Sequence, residues 1–178
     1  MKTPVLMRYC GGMLPLLLAG AICSSPIYAN DMNICQNKHL DNEGLWHLRS
    51  HYSVKETLDR LTYYLEKEPG VQIFYRVNQQ EIANNYGGSV SDVESMAFEK
   101  QQLATRLLSA NIESASALPI QATSWKDQNG QVWIQVSDIC EINKKYHLRG
   151  AEGAVNAVSH LLSGWLAKTV DKNVVIAN

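Results

Sequence analysis

Residues 118–138 give the strongest structural signal in the sequence: two runs of alternating apolar and polar residues flank an Asp-Gln-Asn-Gly turn at 127–130. Asn-Gly alone would suit a two-residue primed turn, whereas Asp at the first position and Gly at the fourth suit a type I turn followed by a bulge. The two turns place the side chains on different faces of the hairpin, because a shift of one residue in the strand pairing moves each side chain of a strand to the opposite face. The bulged turn places Trp125 opposite Trp133 and separates aliphatic from polar residues, so we expect that register.

In the bulged register the hairpin has one aliphatic face and one polar, aromatic face. The aliphatic face suits a core and comprises Ile120, Ala122, Ser124, Val132, Ile134 and Val136. The other face comprises Gln121, Thr123, Trp125, Gln131, Trp133 and Gln135. A cross-strand Trp pair contributes about 0.5–1 kcal/mol, and its rings are either covered by a helix or a second subunit or exposed as a platform for a ligand or partner. The candidate contact residues are Trp125, Trp133, Thr123 and Gln135.

The first 29 residues have the pattern of a secretory signal peptide. Lys2 and Arg8 form a basic start, residues 11–22 are mostly apolar, and a small residue, Ala29, stands at the expected cleavage position. This apolar run is too short for a stable membrane span. We therefore expect an exported protein, periplasmic if the source is a Gram-negative bacterium and secreted otherwise.

The mature chain has a single-domain length, and no later apolar run predicts an integral membrane segment. Removing the signal leaves 14 of the 16 basic residues against 17 acidic ones, a net charge of −3. This balance gives no indication of nucleic-acid binding. We expect an extended lead-in over 30–44, an α+β domain over 45–170 and a tail over 171–178.

Two cysteines, Cys35 and Cys140, remain after signal cleavage. An even pair in an exported chain most simply forms a disulfide. Closing a loop of about a hundred residues contributes up to about 4–5 kcal/mol in the chain-entropy model. The alternative is a redox or metal-binding cysteine, but neither residue has Cys-x-x-Cys spacing or a ligand-spaced partner.

The rest of the chain consists of predicted strands and helices. A capping box at 53–56 starts the first helix, and Glu-Pro-Gly at 68–70 ends it. Further strands are predicted over 45–52, 71–78 and 93–99. Helices or helical turns are predicted over 101–110, 112–117, 139–146 and 154–169, with a polar loop over 79–91. These elements predict an α+β domain, a mostly antiparallel sheet with helices packed on one face.

From Ser53 onward the order of elements follows a pattern found in one known family. The residues that carry the pattern are 53–58, 74–78, Leu118-Pro119, Trp125, Gly130, Val132-Trp133 and Tyr146-His147-Leu148. Over about two-thirds of its length the chain thus resembles the domain of unknown function 302 family. The resemblance implies a small fold with a curved antiparallel sheet and packed helices, and it implies no established activity. Phe98 is followed by Glu-Lys-Gln rather than by the Phe-Gly-Asn-Pro turn of many members, so no role of that loop carries over.

The histidines supply the main candidates for chemistry. His47 and His51 are four residues apart, but on a strand this separates them by about 13 Å, too far to share one metal ion. His147 follows Tyr146 and is a speculative general base, without a nucleophile in the sequence to pair with it. His160 is expected to be a partly buried packing residue of the last helix. We expect no catalytic set, metal or cofactor.

The sequence thus favours an exported, non-catalytic binding module with an aromatic sheet face. Its aromatic residues suit either a small apolar or planar ligand or a protein partner, including a second copy. The alternative is a structural or interaction protein, either a homodimer or an inhibitor of another exported protein. An enzyme is less favoured, because no acid, base, nucleophile and metal converge in the sequence.

Overall fold

A computed structural model describes residues 45–173. The strands are β1 (Leu45–Ser50), β2 (Val71–Asn78), β3 (Val93–Lys100), β4 (Ile120–Lys126) and β5 (Val132–Ser137). The helices are α1 (Val54–Glu66), α2 (Gln79–Asn85), α3 (Gln101–Ala110), α4 (Ile139–Tyr146) and α5 (Glu152–Val170), with a 3-10 helix at Ile112–Ala117. The predicted signal peptide and lead-in, and the tail from residue 174, lie outside the described residues.

The five strands form one antiparallel sheet in the order β1-β5-β4-β3-β2. The predicted hairpin register is confirmed, because Trp125 pairs with Trp133 across β4 and β5. Its turn is closed by hydrogen bonds from Gly130 N to Asp127 O (3.0 Å) and from Asp127 N to Gln131 O (2.8 Å). Gly130 has a φ of +78°, a left-handed conformation that favours glycine. The bulged turn therefore sets which residues of the two central strands share a face.

The core lies between one face of this sheet and the helices, which confirms the predicted α+β class with helices on one face. The aliphatic hairpin residues are all buried there. Helix α1 supplies an apolar stripe that includes Leu58, Leu61 and Leu65, each at most 1% exposed. Burying one such side chain stabilises the fold by about 1.5–3 kcal/mol. The Ser53 hydroxyl fixes the start of α1 by accepting a hydrogen bond from Glu56 N at 3.2 Å.

Two local predictions are wrong. The predicted loop over 79–91 begins with α2, whose first turn is capped by the Asn78 side chain, which accepts from Glu81 N at 2.9 Å. The helix forms because this cap gives an amide of the first turn its hydrogen-bond partner. The polar composition of the segment does not by itself reveal the cap. His160 is exposed on α5 rather than partly buried, because the buried side of α5 runs through Val155, Val158 and Leu162.

A buried arginine joins the first and last helices. Arg60 of α1 is 3% exposed, and its guanidinium donates hydrogen bonds to backbone oxygens of Thr169 (2.7 Å), Lys168 (3.0 Å) and Asp171 (3.0 Å). These are carbonyl groups at the end of α5 that have no partner within a helix. The guanidinium also lies 4.0 Å from the centroid of the Tyr52 ring. Arg60 therefore caps α5 from outside and fixes it against α1.

We expect Arg60→Ala to lower the free energy of unfolding by about 3 kcal/mol, because it removes the guanidinium that donates to the carbonyl groups of Thr169 and Lys168. Urea unfolding followed by circular dichroism measures the change. Arg106→Ala is the matched control, since Arg106 is an exposed arginine of α3. Equal effects of the two substitutions would contradict the capping role.

Candidate ligand-binding groove

The face of the sheet opposite the core helices, termed the open face, carries polar and aromatic side chains from neighbouring strands. Strand pairing aligns His47, Gln135, Thr123, Ser95 and Val77 in one row across all five strands. The adjacent row contains Arg49, Trp133, Trp125 and Val93. The four contact residues predicted from the hairpin thus lie together on the two central strands.

A groove of about 240 Å³ lies on this face. Its lining residues are Gln121, Thr123, Trp125, Gln135 and Ser137. None of these side chains carries a charge. The lining therefore combines two amides, two hydroxyl groups and one indole ring, which can donate and accept hydrogen bonds and contact an apolar surface.

Two of the lining side chains are held by neighbours on the open face. Gln121 Nε2 donates to the hydroxyl of Tyr75 at 3.3 Å, and Thr123 Oγ1 lies 3.0 Å from Ser95 Oγ. The side chains of Gln135 and Ser137, by contrast, make no hydrogen bond to any residue between 45 and 173. Their polar groups are thus left for water or for a molecule in the groove.

The two tryptophans are directly opposite but differ in their contacts. Trp133 Nε1 donates to Asp127 Oδ2 at 2.9 Å, and Asp127 Oδ1 accepts from the backbone amides of Asn129 (2.8 Å) and Gln131 (2.9 Å). The hydrogen bonds from the Trp133 indole N–H and from the Gln131 backbone amide hold the pKa of Asp127 below its ordinary value. Trp133 therefore has a structural role in the turn, and it does not line the groove.

Trp125 is half-buried and forms part of the groove wall. Its indole N–H makes no hydrogen bond within the described residues and is not closed off from solvent. The imidazole of His47 lies against both tryptophans, with ring centroids 5.3 Å from Trp125 and 4.7 Å from Trp133. His47 thus limits how far the Trp125 ring can turn, while the edge that carries the N–H stays accessible.

The contact of His47 with the two tryptophans depends on a strand pairing that the sequence does not predict. Alternation within β1 places His47 on the face opposite Trp46, but it does not reveal which strand lies beside β1. The pairing of β1 with β5 brings the imidazole to the tryptophans. His51 lies beyond the end of β1 and is exposed.

Tyr146 and His147, the candidate residues at the end of α4, do not line the groove. Tyr146 is 9% exposed, and its hydroxyl is 2.7 Å from Ser116 Oγ. Hydrogen bonds with Ser116 and Lys145 lower the pKa of Tyr146. His147 ends α4 in the left-handed conformation, with a φ of 51°. These contacts are those of a helix end packed against its neighbours.

Cys140 lies in the first turn of α4, 6% exposed, with its sulfur 3.9 Å from Ser159 Oγ. Its predicted partner, Cys35, lies outside the described residues. Asp138 caps the start of α4, because its side chain accepts a hydrogen bond from Cys140 N at 3.2 Å. Burial raises the pKa of this carboxyl group.

Across residues 45–173, no helix is both long and apolar enough to cross a membrane.

The contact between Trp133 and Asp127 predicts a pH dependence. A carboxyl group whose pKa is lower in the folded protein than in the unfolded protein stabilises the fold when it is ionised. This stabilisation is complete above the unfolded-state pKa, about 3.9, and is lost as the pH falls through the folded-state pKa. We expect the indole N–H resonance of Trp133 to shift below about pH 4, as Asp127 is protonated. Nuclear magnetic resonance of the ¹⁵N-labelled protein measures it, and Asp127→Asn should remove this titration. A titration that persists in Asp127→Asn would refute the assignment.

A family model described as domain of unknown function DUF302 matches residues 46–166. Two curated proteins, each named fluoride-specific ion channel FluC 1, from Brucella suis biovar 1 (strain 1330) and Brucella abortus biovar 1 (strain 9-941), are 30% identical over 107 residues. The match covers 60% of this chain but only 42% and 39% of those proteins, about two-fifths of their length.

Among solved structures, that of an uncharacterized conserved DUF302 protein from Bacillus stearothermophilus has the same fold. The TM-score is 0.63 at 16% identity, with 72% of this chain and 98% of that chain covered. This likeness concerns the fold, since the identity is low. The match of the family model spans more than half of the sequence and most of the described residues. The chain therefore belongs to the DUF302 family.

Proposed function

We propose that this protein is an exported, non-catalytic binding module that holds its ligand in the groove of the open face. The observation that carries the proposal is an uncharged lining in which several polar groups make no hydrogen bond within the described residues. Gln135, Ser137 and the indole N–H of Trp125 make no hydrogen bonds within residues 45–173, although they surround one concave site. Concave sites that place a few polar groups beside an aromatic surface are typical of ligand binding.

The chemistry of the lining favours binding over catalysis. General acid–base catalysis needs a group that gains or loses a proton near the working pH. Amides, hydroxyl groups and an indole orient a ligand but neither gain nor lose a proton at equilibrium near neutral pH. The candidate acid–base residues Tyr146 and His147 belong to the end of α4 and do not line the groove.

A second candidate function, binding of a protein partner, is favoured by exposed apolar residues around α2. Tyr86 is 89% exposed, and Phe74, Ile82 and Val90 are each nearly half exposed. Exposed aromatic and aliphatic clusters are common at protein interfaces. The FluC 1 proteins share only the matched part of their length with this chain. An exposed apolar surface of this kind would suit either a homodimer or an inhibitor of another exported protein.

The proposed binding site is tested through the four tryptophan indole signals of the ¹⁵N-labelled mature protein. We expect a panel of small probes, comprising neutral saccharides, benzoate and indole, to include at least one that shifts the Trp125 N–H signal and leaves Trp133 unchanged. The reason is that Trp133 is already bonded to Asp127, whereas Trp125 faces the groove.

The side-chain amide signals of Gln121 and Gln135, which also line the groove, should shift with the active probe, and Trp125→Ala should abolish these shifts. Tyr86→Ala is the control, since it removes an exposed aromatic residue that does not line the groove. If Tyr86→Ala abolishes binding and Trp125→Ala does not, the site is the apolar surface around α2. A mass that doubles with concentration and a loss of doubling in Tyr86→Ala would favour the homodimer.

The proposal includes export and a disulfide between Cys35 and Cys140. We expect the protein purified from its exported compartment to begin after Ala29 and to have a mass two hydrogens below the reduced value, as intact mass spectrometry would measure. Cys35→Ser should lower the free energy of unfolding by up to about 4 kcal/mol, since the crosslink restricts the unfolded chain. An unchanged stability, or a mass that equals the reduced value, contradicts the crosslink.

A further inference from the structure

We infer that the groove of the open face binds one ring of a neutral saccharide, with the sugar ring stacked on Trp125. The inference rests on the proposed function and specifies the chemistry of its ligand. Four properties of the groove support it: the absence of charge in its lining, the kinds of hydrogen-bonding groups, the accessible indole and the volume.

The lining disfavours a charged ligand. All five side chains are uncharged, so a carboxylate or phosphate placed there would lose hydration without gaining an opposite charge. The cation nearest in strand register, Arg49, is already hydrogen-bonded to Gln131 through its Nε atom. A neutral ligand avoids this desolvation cost.

The hydrogen-bonding groups of the lining match hydroxyl groups. The amide of Gln135 offers both a donor and an acceptor, and the hydroxyl of Ser137 offers the same. The Gln121 side chain donates one amide hydrogen to the Tyr75 hydroxyl, but its carbonyl oxygen makes no hydrogen bond within the described residues. A ligand that pairs with all of these groups must both donate and accept at closely spaced positions. Sugar hydroxyl groups do so, whereas an apolar or acceptor-only ligand leaves some lining groups unpaired.

The Trp125 indole supplies the apolar part of the site. A pyranose ring has one face of C–H groups, which complements the negative face of an aromatic ring. The contact with His47 restrains the indole before the ligand arrives, which reduces the conformational entropy lost on binding. The indole N–H is also available to a sugar oxygen.

The volume of the groove limits the ligand to about one ring. Pockets for drug-sized molecules have volumes of about 300–1,000 Å³, and this groove measures about 240 Å³. Because the groove is open, neighbouring units of a longer saccharide can extend over the sheet. With one stacked ring and few hydrogen bonds, we expect dissociation constants of about 0.1–1 mM.

The test uses three neutral trisaccharides, maltotriose, cellotriose and N,N′,N″-triacetylchitotriose, titrated into the ¹⁵N-labelled mature protein. We expect at least one to shift the Trp125 indole signal, with the signals of Trp133 and Trp165 unchanged. The side-chain amide signal of Gln121, a lining residue that both variants retain, reports binding in the variants. Trp125→Ala should weaken binding at least about tenfold, and Gln135→Ala should weaken it about fivefold. Tyr86→Ala should bind as the unaltered protein does.

Two outcomes overturn the inference. The first is that none of the trisaccharides shifts Trp125 at about 10 mM, well above the expected dissociation constant. The second is that the binding survives both Trp125→Ala and Gln135→Ala, each checked for folding by its dispersed amide spectrum. If benzoate or indole shifts Trp125 while no saccharide does, the saccharide inference fails but the groove remains a binding site. If no probe shifts Trp125, the proposed function fails as well.

Discussion

The turn at the end of the central hairpin is the constraint on which the rest of this structure depends. The Asp127 carboxylate accepts hydrogen bonds from two backbone amides and one indole N–H, and Gly130 adopts the left-handed conformation that the bulge requires. Together they set the register of β4 on β5. Because side chains alternate along a strand, this register assigns every residue of both strands to the core or to the open face.

The core follows from that assignment. Once Ile120, Ala122, Ile134 and Val136 share a face, the apolar stripes of the helices have one surface to cover. Helices α1 and α5 pack on one another as well as on the sheet, and Arg60 of α1 satisfies the terminal carbonyl groups of α5. The helical layer is therefore closed by hydrogen bonds that link the first helix of the fold to its last.

Local signals in the sequence were sufficient for much of this architecture. The hairpin register could be predicted because the Asp-x-x-Gly turn and the alternation of its strands agree, and α1 could be predicted because a capping residue precedes a helical stripe. The prediction for His160 is wrong because α5 is strongly apolar, so the sequence does not show where the buried side of this helix ends and its exposed side begins. Helix α2 was missed because its cap, Asn78, is also the last residue of β2.

The candidate groove could be predicted only in part, for a related reason. Thr123, Trp125 and Gln135 were found from the hairpin alone, because a single turn determines their common face. Gln121 was placed on that face too, but its contact with Tyr75 depends on β2, two strands away. The position of His47 depends on the pairing of β1 with β5, a contact between residues almost ninety positions apart. Contacts of this kind leave no local trace in a single sequence.

The two tryptophans show how one interaction divides equivalent positions into different roles. In sequence they are a symmetric cross-strand pair, and each could contact a ligand. The carboxylate that sets the register lies six residues before Trp133 and takes its indole N–H, whereas the indole N–H of Trp125 makes no hydrogen bond within the described residues. The same turn that fixes the sheet therefore makes its open face asymmetric. The groove lies on the side of Trp125, where the side chains of Gln135 and Ser137 also make no hydrogen bond within residues 45–173.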